Sequence, residues 1–403
     1  KWEANLKWLI LFVSSCAHWQ KESNKTVMTE ARHKRFAIIM AGGRGERFWP
    51  LSRESTPKQL IRLLGDTSLL QETVRRIQSV IPLENILVIT NESQLKAVRR
   101  QLAQLPSANV IAEPCGRDTC AAVALGAAIV AQRCADGVMA VLPADHVIAQ
   151  PGAFQKVLRD TMKVAAQNDV MVTIGIPATE PSTAYGYIRF VKKKLQAREY
   201  DKVATSMHRV ERFVEKPNRS KAKRFIQSGH YYWNAGMFIW SVNTIVHAME
   251  KHQPAMAKVM HEWIECAGNP RKLKNHLLRA YPRIEKISID FALMEKASNV
   301  IMAQGAFGWD DLGSWTALTR HVSQDAHGNA WLGQGVQIDS HQNIIFDGRH
   351  PKLRTPLALV GVKEMIVVLT DDVCLLAEKS QDQKIKAMVQ TLARSSSTRH
   401  LVE

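Results

Sequence analysis

Residues 41–50, AGGRGERFWP, place three glycines and two arginines directly after the apolar run Phe36 to Met40. A loop that only reversed the chain would need one or two glycines and no cation. Glycines let backbone N–H groups approach an anion closely, and Arg47, beyond the turn, can meet phosphate oxygens in bidentate fashion. Thr56-Pro57-Lys58-Gln59 adds a second cation just downstream. Two familiar phosphate loops are excluded. No Gly-Lys dipeptide occurs in the chain, as a P-loop would require, and Phe48 stands where the dinucleotide fingerprint needs its third glycine. The remaining competitor is a basic surface turn. Glycines, Arg and Lys coinciding after a buried strand favour an anion site instead.

Two acidic turns complement this loop. Leu142-Pro143-Ala144-Asp145-His146 follows the apolar run from Val138. A carboxylate at a strand's carboxyl end suits Mg²⁺, a hard cation that takes oxygen ligands, although Asp is also common in turns for its own sake. Trp309-Asp310-Asp311-Leu312-Gly313-Ser314-Trp315 lies far away in sequence. Two carboxylates meeting a triphosphate and one Mg²⁺ make a workable phosphoryl-transfer arrangement. Equally, an Asp there could cap the helix that follows.

These loops need strands and helices to hold them. The spacing predicts strands at Phe36–Met40, Ile86–Thr90, Asn109–Ala112, Val138–Leu142 and Val170–Ile176. Helical patterns intervene at Ser68–Val80, Gln94–Gln104 and Thr119–Cys134. Continuous apolar strands separated by helices describe an α/β fold with a mostly parallel sheet covered on both faces. Ligands of such sheets bind at the carboxyl ends of the strands, where the notable loops sit. After about residue 180 the pattern is mixed, with YGYIRF, VERFVEK and AGMFIW strand-like and a helical region from Val242 to about Ala297. From about Asn329, short alternating strands read as a small β domain, closed by an amphipathic stretch Asp382–Leu392 and a tail, SSSTRH, expected to fray. The division expected is an extension at 1–34, disordered or outside the native reading frame, a catalytic domain at 35–325 and a C-terminal β domain at 326–403. The extension has a basic start and a short apolar run faintly like a signal peptide, and Met28 is the next candidate start.

The 403 residues carry 54 Lys+Arg against 37 Asp+Glu, a formal charge of +17 that favours anionic partners. The basic residues are spread along the chain and lack aromatic interleaving, so no nucleic-acid partner is expected. The six cysteines show no CxxC pair, which fits reduced thiols in a cytoplasmic protein. No apolar run approaches the ~18 residues of a membrane span, and no membrane association is expected.

GGRGERFWPLS…TPKQ resembles the signature of sugar-phosphate nucleotidylyltransferases. Further motifs look like mannose-1-phosphate guanylyltransferases in order and spacing: EPCGRDT from Glu113, LPADH, YGYI from Tyr185, VEKP from Val214, WNAGMF from Trp233, SIDF from Ser288, and FGWDDLGSW. The resemblance covers about residues 35 to 395. It implies a Rossmann-like nucleotidyltransferase (GT-A-like) fold with a left-handed β-helix-like C-terminal domain. The reaction implied is GTP + α-D-mannose 1-phosphate → GDP-mannose + diphosphate, with Mg²⁺. By the same resemblance, Ala41, Gly42, Gly43 and Gly45 cradle the nucleotide. Arg47 neutralises the leaving diphosphate, and Lys58 sits near the α-phosphate. Glu113, Arg117, Asp118 and Thr119 lie in the loop that orients guanine and ribose, with Pro143 beside them. Asp145 and Asp311 hold Mg²⁺. Gly186, Glu215, Lys216, Asn234 and Gly236 line the mannose phosphate pocket. The β tail implies a homodimer by analogy.

Bland readings compete at several positions. Trp233 and Met237 read as packing, and His146 as a structural hydrogen-bonder, since an ionised sugar phosphate needs no base. Asn234, an amide between apolar neighbours, needs specific hydrogen bonds. Departures from the family pattern are Asp118 for the usual Asn, Cys120 for Ala, Ala184 for a glycine, and Asp310 before Asp311 where Ser is commoner. Asp118 would alter base choice or affinity, and Ala184 would restrict the backbone. Asp310 could compete with Asp311 for the metal. Three alternatives remain: a transferase for another sugar 1-phosphate or nucleotide, a non-catalytic GDP-mannose-binding regulator and, more weakly, a basic interaction protein that uses the +17 charge. Because no cupin-like domain follows the β segment, no isomerase activity is expected.

Overall fold

The computed structural model describes residues 34–195, 200 and 203–403. Apart from Lys34, the expectation for residues 1–34 lies outside them, as does Cys16. Nine strands form the central sheet: β1 (Arg35–Met40), β2 (Ile86–Asn91), β3 (Val110–Glu113), β4 (Val138–Pro143), β6 (Met171–Pro177), β7 (Tyr187–Lys194), β8 (Met207–Val214), β9 (Tyr231–Ser241) and β10 (Val300–Gln304). Their order is β3-β2-β1-β4-β9-β6-β10-β8-β7. Strands β3, β2, β1 and β4 run parallel, β9 is inserted antiparallel between β4 and β6, and β6 pairs parallel with β10. Strands β8 and β7 close the far edge by antiparallel pairing, so the sheet is mixed, as expected, with its parallel pairings concentrated in β3-β2-β1-β4.

The apolar run of β1 is buried on both sides, which is why it shows no alternation of polar residues. Ala37 and Ile39 face α1 (Leu69–Ile77) and α4 (Pro151–Gln167), with α2 (Leu95–Gln101) nearby on that side. Phe36 and Ile38 face α3 (Asp118–Arg133), with α6 (Val242–His252), α7 (Pro254–Cys266) and α8 (Pro270–Ala280) behind it. At Gly126 in α3 a Cβ would lie 2.6 Å from Ile38, so helix and sheet touch there only because the residue is glycine. α5 (Arg219–Ser228) packs on the β9 side. Among the described residues no helix is long and apolar enough to cross a membrane.

Strand β9 changes partners along its length. Its C-terminal half pairs with β4 from Phe238 to Ser241, whereas Tyr231 to Trp233 pair with β7. Gly236, with φ +62°, sits at the change. The end of β4 and the start of β9 diverge there, and a cleft opens between them. A short ladder, β5 (Val147–Ile148) with β11 (Trp309–Asp310), lies at its rim.

The C-terminal unit follows α9 (Trp315–Leu318). It coils β12 (Ala330–Leu332), β13 (Gly335–Ile338), β14 (Ile344–Asp347), β15 (Leu357–Val360), β16 (Met365–Leu369) and β17 (Cys374–Glu378). Parallel pairing of β12, β14 and β16, and of β13 with β15, makes it β-helix-like, as expected. Stacked Asn329 and Asn343, both fully buried, bond across the coil at 2.9 Å. Its Ile344, Phe346, Ile366 and Val368 share one core with Phe48, Trp49, Leu312 and Trp315. The last helix, α10 (Ile385–Arg394), adds Ile385 to that core. The tail is not frayed, contrary to expectation. Trp49 Nε1 donates to the Leu401 carbonyl at 2.9 Å, and Glu54 and Ser55 N–H groups donate to Val402 and Glu403 at 3.0 and 3.2 Å.

Candidate active site

The β5–β11 ladder brings the two acidic turns together. It pairs Val147 with Asp310, so Asp145 and Asp311 stand at neighbouring strand ends although far apart in sequence. The two aspartates of the second turn have different roles. Asp310 is buried and clamped by Arg320 Nε at 2.6 Å and His321 Nε2 at 2.8 Å. Burial pushes its carboxyl up, but His321, Arg320 and the Leu312 N–H outweigh this and hold it at about 2. Asp311 faces the cleft and accepts a hydrogen bond from the Tyr185 hydroxyl at 2.9 Å. Asp310 is thus taken up by protein groups, and Asp311 is the aspartate of this turn that faces the cleft.

Lys58 occupies the space between the turns. Its ammonium contacts Asp145 Oδ2 at 2.6 Å and donates to the carbonyls of Asp311 and Leu312 at 2.8 and 3.2 Å. Leu312 holds φ +46°, an uncommon conformation for a branched residue, in the turn that presents those carbonyls. An ammonium has three donors, and all three are engaged. Lys58, expected near the α-phosphate, lines the cation-rich side of the site, where it is buried and holds the acidic turns together. Burial raises the Asp145 carboxyl, yet Lys58 and His146 bring it below the ordinary carboxylate value. His146 accepts from Trp309 Nε1 at 3.0 Å, and burial lowers its imidazole, consistent with a structural role.

The glycine loop spans β1 and Lys58. Gly45 adopts φ +62°, and a Cβ there would lie 2.4 Å from Lys58 Cβ and 2.7 Å from its backbone nitrogen. Glycine is required at that position. Gln59, which the sequence did not single out, donates to the carbonyls of Ala41 and Gly43 at 2.8 and 3.0 Å. Ala41 is thus buried beneath the loop, with its carbonyl and N–H engaged by protein groups, and lies outside the cleft lining. A cavity of ≈ 450 Å³ opens on the far side, lined by Arg44, Gly45, Arg47, Lys58 and Lys386 with Glu46, Asp145 and Asp311.

The cleft proper, ≈ 510 Å³, meets that cavity at Asp145, His146 and Asp311. One end holds Gly42, Gly43, Glu113, Arg117, Asp118 and Thr119. Glu113 is buried, accepts from the Tyr281 hydroxyl and is pushed up to about 7, burial dominating over that hydrogen bond. Asp118 adopts φ +64°, a conformation Asn and Asp tolerate better than other side chains. Its carboxylate accepts from the Thr119 N–H at 2.8 Å. Thr119 in turn accepts from the Ile289 N–H at 2.8 Å, and Arg117 donates to the Tyr281 and Pro282 carbonyls. These two residues brace the loop against the segment carrying Asp290.

The other end holds Pro143, Gly186, Glu215, Lys216, Asn234 and Gly236. A Cβ at Gly186 would lie 2.7 Å from Glu215 Oε2. Asn234 donates to Asp290 at 2.7 Å and accepts from the Gly236 N–H at 3.1 Å, the specific bonds its setting demanded. Asp290, in the SIDF motif but not chosen from it, is raised to about 6 by burial. Ala184 has no positive φ, so alanine replaces the usual glycine without backbone strain. Trp233 and Met237 are core residues outside the cleft lining, as expected.

Among the described residues no group of three or more His, Cys, Asp or Glu side chains converges as a preformed metal cage. Asp145 Oδ2 and the backbone carbonyls of Asp311 and Leu312 already hold a cation, the Lys58 ammonium, and the Asp311 carboxylate stands in the same cavity. Mg²⁺ characteristically binds one or two carboxylates and completes its shell with phosphates and water, and this donor set fits it.

A doubly covered sheet, a glycine loop after β1 and a cleft joined to a cation-lined cavity define a nucleotidyl-transfer site. Residues 36–328 match the family model described as Nucleotidyl transferase, and the chain belongs to that family. Residues 333–392 match the MannoseP isomerase/GMP-like beta-helix domain. The chain is 36% identical to the xanthan biosynthesis protein XanB of Xanthomonas campestris over 368 residues, 90% of this chain and 75% of that one. It is 35% identical to the mannose-1-phosphate guanylyltransferase of Escherichia coli over 377 residues, 92% of this chain and 76% of that one. A solved Thermus thermophilus protein, described as a mannose-1-phosphate geranyltransferase, superposes with a TM-score of 0.76 at 32% identity, covering 89% of this chain and 99% of that one.

Proposed function

We propose that the chain transfers GMP from GTP to α-D-mannose 1-phosphate, releasing diphosphate. The observation that carries this reading is the junction of the two cavities at Asp145 and Asp311. A nucleotide with its base near Glu113 and its phosphates past the glycine loop would place its α-phosphorus at that junction. A mannose 1-phosphate near Glu215, Lys216 and Asn234 would approach from the opposite side. Its phosphate oxygen attacks the α-phosphorus, the P–O bond to the β-phosphate breaks, and diphosphate departs toward Arg44 and Arg47. The attacking oxygen is already ionised, so the site needs positioning and charge neutralisation and no general base. Mg²⁺ held by Asp145 and Asp311 would neutralise phosphate charge when bound. Glu113 and the Arg117–Thr119 loop would orient guanine and ribose.

Diphosphate release tests this. GTP, ATP, UTP and dTTP are crossed with mannose, glucose and fucose 1-phosphates, with Mg²⁺ present and Arg47→Ala run beside the wild type. Release with GTP and mannose 1-phosphate alone, abolished in the variant, is the expected result. Preference for another pair would move the substrate and keep the mechanism. No release with any pair would sink the reading.

A further inference from the structure

Among the described residues the cation-lined cavity receives one side chain from beyond the nucleotidyl transferase match at residues 36–328, Lys386 on α10. Its helix is fixed at two points beside the cavity. Ile385, the preceding residue, is buried in the same core as Phe48 of the glycine loop. Asp382, one turn earlier and also buried, accepts a hydrogen bond from Thr316 at 2.5 Å, just beyond the Asp311 turn. Lys386 is thereby tied to both loops that bound the cavity.

The two lysines of this cavity differ in what their ammonium groups do. Lys58 has all three donors committed to protein oxygens within 3.2 Å. Lys386 Nζ stands 3.7 Å from Glu46 Oε2, and about half of its side chain is exposed. That distance is too long for a hydrogen bond but short enough for the carboxylate to hold the ammonium beside the loop. Its donors remain available to an incoming anion.

We propose that Lys386, on the C-terminal helix, binds the diphosphate end of the nucleotide and the departing diphosphate, together with Arg44 and Arg47. The C-terminal unit then completes the phosphate site. This rests on the nucleotidyl-transfer reading. The anion it takes is a polyphosphate, whose multiple charge at neutral pH needs more than one cation while the two aspartates stand in the same cavity.

The test uses Lys386→Gln and Lys386→Arg in the full chain, assayed in reverse with GDP-mannose and diphosphate. In the Gln variant the KM for diphosphate rises about tenfold, the scale for losing one charge-assisted hydrogen bond. The KM for GDP-mannose stays within about twofold, and the Arg variant keeps most of the affinity. An unchanged diphosphate KM in the Gln variant overturns the proposal, as does an equal rise in both KM values. If the wild type turns over no substrate pair, calorimetric titration with inorganic diphosphate separates the two ideas. Binding to the wild type that weakens in Lys386→Gln supports this site; equal binding, or none to the wild type, overturns it.

Discussion

Replacing Lys58 by Met keeps the length of the side chain and removes its charge, leaving Asp145 without its cation and two carbonyls without a donor. Lys58 is 6% exposed, and its Asp145 contact is 2.6 Å. Removing one partner of a fully buried pair costs about 3–5 kcal/mol. The Asp145 side chain keeps 34% of its surface in water, which screens part of that cost. The expected loss is therefore about 2–3 kcal/mol, read as a lower midpoint in urea without divalent cations. Asp145→Asn on the Lys58→Met background removes the uncompensated charge, and the double variant should regain at least about 1 kcal/mol over additivity. A second readout follows from the position of the ammonium. With it gone, Mg²⁺ alone should raise the midpoint of Lys58→Met more than that of the wild type. A variant within about 0.5 kcal/mol of the wild type, or strictly additive behaviour in the cycle, would refute the saturated-lysine account.

Other outcomes follow from the same geometry. Gly45→Ala forces a left-handed conformation that costs about 1–2 kcal/mol and drives a methyl into the Lys58 backbone, so turnover should fall at least tenfold; near-normal turnover would contradict the packing at the loop. Glu113, raised by burial from its ordinary 4.5 to about 7, is protonated more readily folded than unfolded. Its contribution is present below about pH 4.5 and is lost as pH rises through about 7, a change on the order of 3 kcal/mol that Glu113→Gln should flatten in urea melts across that window. Asp310→Asn breaks the Arg320 and His321 clamp and should lower stability by about 2 kcal/mol, whereas Asp311→Asn should leave the melt nearly unchanged and abolish diphosphate release. Reversal of those two phenotypes would reverse the assignment of the turn.

Much of the sheet was legible because its strands are buried on both faces. Ile86–Asn91 and Val138–Pro143 read as unbroken apolar runs, and only their ends moved by a residue. The antiparallel insertion of β9 between β4 and β6 left no such trace, since pairing partners are chosen in three dimensions. The tail was misread for a similar reason. SSSTRH carries nothing apolar to predict burial, yet the residues after it dock through backbone carbonyls, which any sequence possesses.

At the site, residue type announced a charge but could not say where its hydrogen bonds go. Lys58 is the clearest case: a lysine after a glycine loop reads as a cation for phosphate, and its three contacts with protein oxygens within 3.2 Å, on two distant turns, leave no trace in sequence. The motif favoured Asp311 over Asp310 but could not show what occupies Asp310, which Arg320 and His321 hold. In both cases the decisive partner lies on another turn of the chain. Lys386 extends this logic to the longest separation in the site. It entered the sequence reading only as part of an amphipathic stretch, because its role depends on the β-helix-like unit sharing a core with Phe48 and Leu312. The end of the glycine loop at Phe48 packs in that shared core, so loosening the C-terminal unit exposes part of the loop's support. Catalytic competence and the stability of the C-terminal unit should therefore rise and fall together.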